Sequence, residues 1–180
     1  MVDYPAHRIV GPRLVLRPPV IDDAGAIFQR IARDPQVTKY LQWEPHADVA
    51  ATRRVITEKT NVNDDERTWA VELRHSGELI GLTSCRRPGG GDSVELGSCL
   101  GRRWWGKRYT TEMLAILTGA LEADPTVHRV WATCHVDNRY TARLLEQGGF
   151  VLEKRLPRYA VYPSIGPEPQ DCLLYAKALR

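Results

Sequence analysis

Two spacings of apolar residues alternate along this chain, and they predict its elements. Period-two alternation or short apolar runs mark strands at residues 13–17, 68–74, 79–86, 94–100, 129–135, 151–158 and 171–178. Helical spacing marks the rest. Ala24, Ile27, Phe28 and Ile31 follow a candidate cap at Asp22 or Asp23 and stop at Asp34-Pro35; Asp48 caps a helix over 49–59. Met113, Leu114, Leu117, Ala120 and Leu121 share one face of a helix over 109–123, which Asp124-Pro125 ends. Asn138 caps a last helix that turns Ala142 and Leu145 inward and ends at Gly148-Gly149.

The punctuation fixes how these elements join. His75-Ser76-Gly77-Glu78 is a hairpin turn, and 88–92 is a Gly-rich turn, so the middle strands form an antiparallel meander. Strand 94–100, helix 109–123 and strand 129–135 then imply a right-handed crossover between parallel neighbours. The prediction is an α+β fold: a mixed, mostly antiparallel sheet of about seven strands with one parallel pair, flanked by about four helices. At 180 residues the chain reads as one domain, residues 1–180, large enough to bury a core.

The densest chemistry lies between the strand at 94–100 and its helix. Arg102, Arg103, Lys107 and Arg108 surround Gly106 in a turn that opens straight into the helix. A helix start has four N–H groups without internal partners and a positive dipole end, and a glycine lets backbone approach a ligand closely. Such a turn suits a phosphate or diphosphate. It contains neither G-x-x-x-x-G-K-[ST] nor G-x-G-x-x-G, which excludes the two commonest nucleotide motifs.

Arg103-Trp104-Trp105-Gly106-Lys107-Arg108 resembles the [QR]-x-x-G-x-[GA] acetyl-coenzyme A signature of the GNAT N-acetyltransferases, and the longer Glu-Leu-Gly … Trp-Gly-Lys-x-Tyr-x-Thr-Glu run is similar to their RimJ/RimL-like branch. Arg108 departs from the pattern, standing where the family has Gly or Ala. A second match, N-x-x-[ST]-x-x-x-x-x-x-G-F, falls on Asn138, Thr141, Gly149 and Phe150. The resemblance implies acetyl-coenzyme A as cosubstrate. It also implies a sheet splayed at the parallel pair, a diphosphate seat from Arg103 through Gly106, Lys107, Arg108 and Tyr109 to Thr110, and contacts from Asn138 and Thr141 to the cofactor. The pantetheine would lie along Ser98, Cys99 and Leu100 as an added strand.

Acyl transfer to an amine needs a neutral nucleophile, a held geometry and a donor for the developing oxyanion. Glu95 on the strand is the candidate base; the bland alternative makes it the partner of an arginine. A backbone N–H of Cys99 or Leu100 is the candidate oxyanion donor. Glu112, in a first helical turn, reads as structural. For the general acid Thr141, Tyr140, Tyr159 and Cys134 stay open, because the family's Tyr position holds Leu145. Tyr40 and Trp43 either line the acceptor site with Glu95 or close the core edge.

Charge and cysteines narrow the classes. A net charge of +3 does not argue for nucleic acid, and no apolar run is long enough to span a bilayer, so a cytoplasmic chain with no membrane partner is expected. The N-terminus lacks the pattern of a signal peptide. Cys85, Cys99, Cys134 and Cys172 form no C-x-x-C pair and read as buried thiols, and no metal is expected. The leading expectation is direct transfer of acetyl to an amine-bearing small molecule or a peptide N-terminus by a monomer or homodimer. The other class is a non-catalytic acyl-coenzyme A sensor that binds a protein partner.

Overall fold

The computed structural model describes residues 7–180. Among them one eight-stranded sheet runs in the order β1-β2-β3-β4-β5-β6-β8-β7. The strands are β1 (Ile9–Val10), β2 (Leu14–Arg17), β3 (Glu66–Leu73), β4 (Leu79–Arg86), β5 (Ser93–Leu100), β6 (Arg129–His135), β7 (Val151–Ala160) and β8 (Gln170–Ala178). Only β5 and β6 pair in parallel. The strand beyond the seven expected is β1, two residues that pair with Leu16 and Val15 and are too short for a periodic signal.

The α-helices are α1 (Ala24–Ile27), α2 (Pro35–Thr38), α3 (Val49–Glu58), α4 (Tyr109–Glu122) and α5 (Arg139–Gln147). The first helix expected from the sequence is not uniform. After a 3-10 turn and α1 it widens into a π turn over Phe28–Ala32. Nor does Asp23 cap it. Its carboxylate instead accepts from Arg17 Nη1 and Nη2 at 2.7 and 2.8 Å and from the Val20 N–H at 2.8 Å, which staples the helix start to β2. Asp34 and Asp48 do cap, taking the N–H groups of Gln36 and Ala51.

The strand period sorts side chains to two layers. Val94, Leu96 and Leu100 of β5 and Val130, Ala132 and Cys134 of β6 turn to one face, where Met113, Leu117 and Leu121 of α4 cover them. Cys99 turns to the other face, beside Leu79, Ala70, Ile27 and Ile31. Alternation sends Glu95 and Gly97 there too. None of the four cysteines forms a disulfide, and Cys85, Cys134 and Cys172 are buried.

Candidate active site

The parallel pair is short. Ser93, Val94 and Glu95 pair with Arg129, Val130 and Trp131, and beyond that β6 continues along β8 while β5 continues along β4. The sheet therefore opens between residues 96–100 and 132–135. Antiparallel strands bond through alternate residues, and the Gly101 N–H donates to Ile80 O at 2.8 Å. Counting back, Cys99, Gly97 and Glu95 bond to β4, whereas Leu96, Ser98 and Leu100 turn their N–H and C=O groups to the opening. The Cys99 N–H thus points to Leu82 on β4, whereas the Ser98 and Leu100 N–H groups face the opening. The Leu100 carbonyl is taken by Trp105 Nε1 at 2.7 Å. Gly97 and Ser98 are exposed, as an unpaired edge requires.

Above this edge the chain makes the anion turn. A Cβ on Gly101 would come within 2.7 Å of the Trp104 ring, so only glycine lets buried Trp104 pack there. One 3-10 turn (Arg102–Trp104) follows, then Gly106 at φ 74° and Arg108 at φ 60°, and α4 begins. Arg108, the N-cap, gives no side-chain cap, and the first helix-type bond is Glu112 N–H to Arg108 O. The N–H groups of Tyr109, Thr110 and Thr111 consequently point outward without helical partners. A cleft of about 190 Å³ lies here, lined by Gly106, Arg108, Thr111, Tyr140, Leu144 and Gln147. Tyr140 Oη reaches Thr110 Oγ1 at 3.4 Å across it.

At position 108 the backbone itself favours glycine. The residue is left-handed, which glycine adopts freely and other residues at a cost of about 1 kcal/mol. Arg108→Gly is therefore expected to raise the melting temperature by about 2–4 °C in a scan without ligand, and to weaken coenzyme A binding several-fold through loss of a cation. Calorimetric melting and titration of the variant check both.

The cations divide. Lys107 and Arg108 are exposed at the cleft with no side-chain partner among the described residues. Arg102 and Arg103 turn away, to Asp34 at 3.2 Å and Glu78 at 3.8 Å. A cation that the sequence reading missed supports the turn from beneath. Arg13 sits 4.5 Å from the centre of the Tyr109 ring, donates to Lys107 O and Arg108 O at 3.2 and 3.3 Å, and pairs with Glu112 at 2.7 Å. Glu112 also accepts the N–H groups of Arg13 and Leu14, so its role is to lock α4 to β2. Nothing local in the sequence links residues 99 positions apart.

Asn138 caps α5, accepting the Thr141 N–H at 3.2 Å, which leaves its amide N–H₂ for other partners. Thr141 is half-buried in the first turn of that helix.

On the other face, Glu95 lies opposite Arg86 in the β4–β5 ladder, and Arg86 Nε donates to Glu95 Oε2 at 2.9 Å, with Nη2 on the same oxygen. The carboxylate's Oε1 has no partner among the described residues. Tyr159 joins this group: burial and then the neighbouring Glu95 charge raise its hydroxyl above the ordinary phenol value. Beside them opens a trough of about 710 Å³, lined by Asn63, Asp64, Asp65, Glu66 and Arg86 among others. The Gly-rich turn at 88–92 is what sets Arg86 against Glu95, and counting outward from that hairpin could have found the pair.

Tyr40 and Trp43 are half-buried in the α2–α3 connection. Tyr40 stacks on His135, with ring centres 5.2 Å apart, and Trp43 lies 5.2 Å from His46. Tyr40 thus borders the opening; Trp43 also packs against the Ile27–Ile31 cluster. The remaining general-acid candidates lie apart. Burial pushes the Cys134 thiol up to about 11 within the core, and that of Cys99 up to about 12, so neither is a thiolate nucleophile. Leu145 is buried core. No group of three His, Cys, Asp or Glu among the described residues is placed to hold a metal, and none of their helices is long and apolar enough to cross a membrane.

Comparison with known proteins agrees with this geometry. An uncharacterized N-acetyltransferase, p20, of Bacillus licheniformis is 27% identical over 150 residues, 82% of this chain and 84% of that protein. The fold superposes on RimL, a ribosomal L7/L12 alpha-N-protein acetyltransferase in complex with coenzyme A, with a TM-score of 0.81 at 18% identity, covering 95% of this chain and 97% of that one. It also superposes on spermidine N-acetyltransferase from Vibrio cholerae, in complex with coenzyme A and spermine, with a TM-score of 0.79 at 19% identity over 94% and 97% of the two chains. The model of the acetyltransferase (GNAT) domain matches residues 13–151, from the arginine beneath the anion turn to the first residue of β7. An open strand edge, an uncapped helix start and this match lead to one conclusion: the chain belongs to the GNAT acetyltransferase family and is an acetyl-coenzyme A dependent acyltransferase.

Proposed function

We propose that the chain transfers acetyl to a primary amine by direct attack in a ternary complex. The observation that carries this is a convergence: the free N–H groups of α4 and the free edge of β5 open onto the same gap, with Glu95 on its acceptor side. Acetyl-coenzyme A supplies an activated acyl group on a thiol leaving group. The chain's own residues do the rest. The N–H groups of Tyr109, Thr110 and Thr111, with Lys107 and Arg108, seat the diphosphate. Ser98 offers both backbone groups to the amide-rich arm, and the Ser98 or Leu100 N–H faces the oxygen on which charge develops.

Glu95 accepts the proton of the incoming ammonium, directly or through one water, on Oε1, while Arg86 fixes the other oxygen and so the carboxylate's direction. Tyr159, whose hydroxyl burial and then the Glu95 charge hold protonated, serves as the donor for the leaving thiolate. The acceptor class is a peptide α-amine or a small-molecule amine, the two kinds represented among the structural relatives. One observation favours a second reading: the Arg86–Glu95 ion pair would also suit a non-catalytic acyl-coenzyme A sensor. Thiol release from acetyl-coenzyme A against a panel of amines and N-terminal peptides tests the proposal. Turnover on any member supports transfer; binding without turnover on all of them supports the sensor.

A further inference from the structure

One polar atom facing the acceptor side has no role so far. His135 ends β6, and four residues past the Glu95–Trp131 pairing the strand advance sets it level with Cys99 across the opening. Its face is that of Trp131 and Glu95, not that of the α4 core. The residue is 5% exposed, held between two aromatic rings: Tyr40 tilted at 5.2 Å and Tyr162 edge-on at 5.1 Å. The Asp137 N–H donates to Nδ1 at 3.1 Å, so the ring proton belongs to Nε2. That Nε2 is buried and has no acceptor among the described residues.

A buried donor without an acceptor destabilises a fold, and such groups call for a partner. The Tyr162 hydroxyl, on the ring beside the imidazole, is engaged with Cys172 Sγ at 3.1 Å. Nδ1 faces the β6–α5 turn, while the Tyr40 and Tyr162 rings pack against the rest of the imidazole. The Tyr40 ring packs on the imidazole from the α2–α3 connection, and its hydroxyl makes no hydrogen bond with a described residue.

We infer that His135 is an acceptor-binding residue: its Nε2–H takes an oxygen carried close to the acceptor's amine, and the Tyr40 ring yields to admit it. The chain then favours amines bearing a hydroxyl or carbonyl oxygen over plain alkylamines. This rests on the transferase reading above. A site built to hydrogen-bond an oxygen discriminates strongly against its absence, because the buried donor stays unpaired with the wrong substrate.

The test compares kcat/KM for ethanolamine, glycinamide and propylamine, each corrected for its neutral fraction, in the wild type, His135→Phe and His135→Gln. The wild type is expected to prefer both oxygen-bearing amines over propylamine by about tenfold or more. His135→Phe keeps a ring and loses the donor, so the preference should collapse to about unity through a rise in KM, with acetyl-coenzyme A affinity unchanged and the melting temperature not lowered. His135→Gln, which retains an N–H, should recover part of the preference. An unchanged preference in a folded His135→Phe, or a loss equal for all three amines, overturns the inference and leaves the transferase reading standing. No turnover of any amine by the wild type overturns both.

Discussion

Replacing Glu95 with glutamine is expected to lower kcat by about a hundredfold while leaving acetyl-coenzyme A affinity unchanged, since positioned general bases contribute about 10²–10⁴ in rate. The substitution keeps the shape of the side chain and its contact with Arg86, and removes the proton acceptor. An amine that enters as ammonium then has no group to take its proton. The deficit should shrink as pH rises past the acceptor's own pKa, about 8 for an α-amino group, because solvent then delivers the neutral nucleophile. A steady-state pH profile of wild type and variant shows this directly. Equal rates at neutral pH would mean that Glu95 serves only as the ladder partner of Arg86 on β4.

Gly106→Asp is expected to raise the Kd for coenzyme A by about a hundredfold or more, and Gly106→Ala by only a few-fold. A Cβ at Gly106 meets nothing within 4 Å, so neither side chain clashes, and both take on left-handed strain at φ 74°. Aspartate tolerates that conformation better than most residues. What differs is the charge: a carboxylate at the mouth of the cleft repels a diphosphate and competes for the free N–H groups of α4. Isothermal titration of the two variants separates charge from strain. Similar losses in both would place the diphosphate elsewhere.

What the sequence disclosed follows from the range of each signal. Period and punctuation are local, so β4, β5, α4 and β6 appeared within one or two residues of their ends, and the crossover rule supplied the parallel pair. The uncapped turn before Tyr109 was visible because the cations, glycine and helix start are contiguous. Long-range partners were not. Arg13 lies 99 residues from Glu112, and only the folded sheet brings it beneath the turn. The cations clustered around Gly106 suggested a seat that included Arg103, yet Arg102 and Arg103 pair with Asp34 and Glu78, partners that are remote in sequence. Between Cys99 and Leu100 the sequence left open which N–H faces the gap, since that depends on ladder parity, and parity is fixed by the Gly101 to Ile80 bond. His135 was passed over as a strand residue; only burial and the Asp137 contact reveal its unpaired nitrogen.

The seat between Gly106 and Thr111 is tested most directly by titrating the wild-type chain with coenzyme A and, separately, with pantetheine, which has the same arm and no phosphates. Coenzyme A should bind at a single saturable site at least about tenfold more tightly, with the difference narrowing as salt rises. Equal affinity for the two ligands, or no heat from either, would contradict the account.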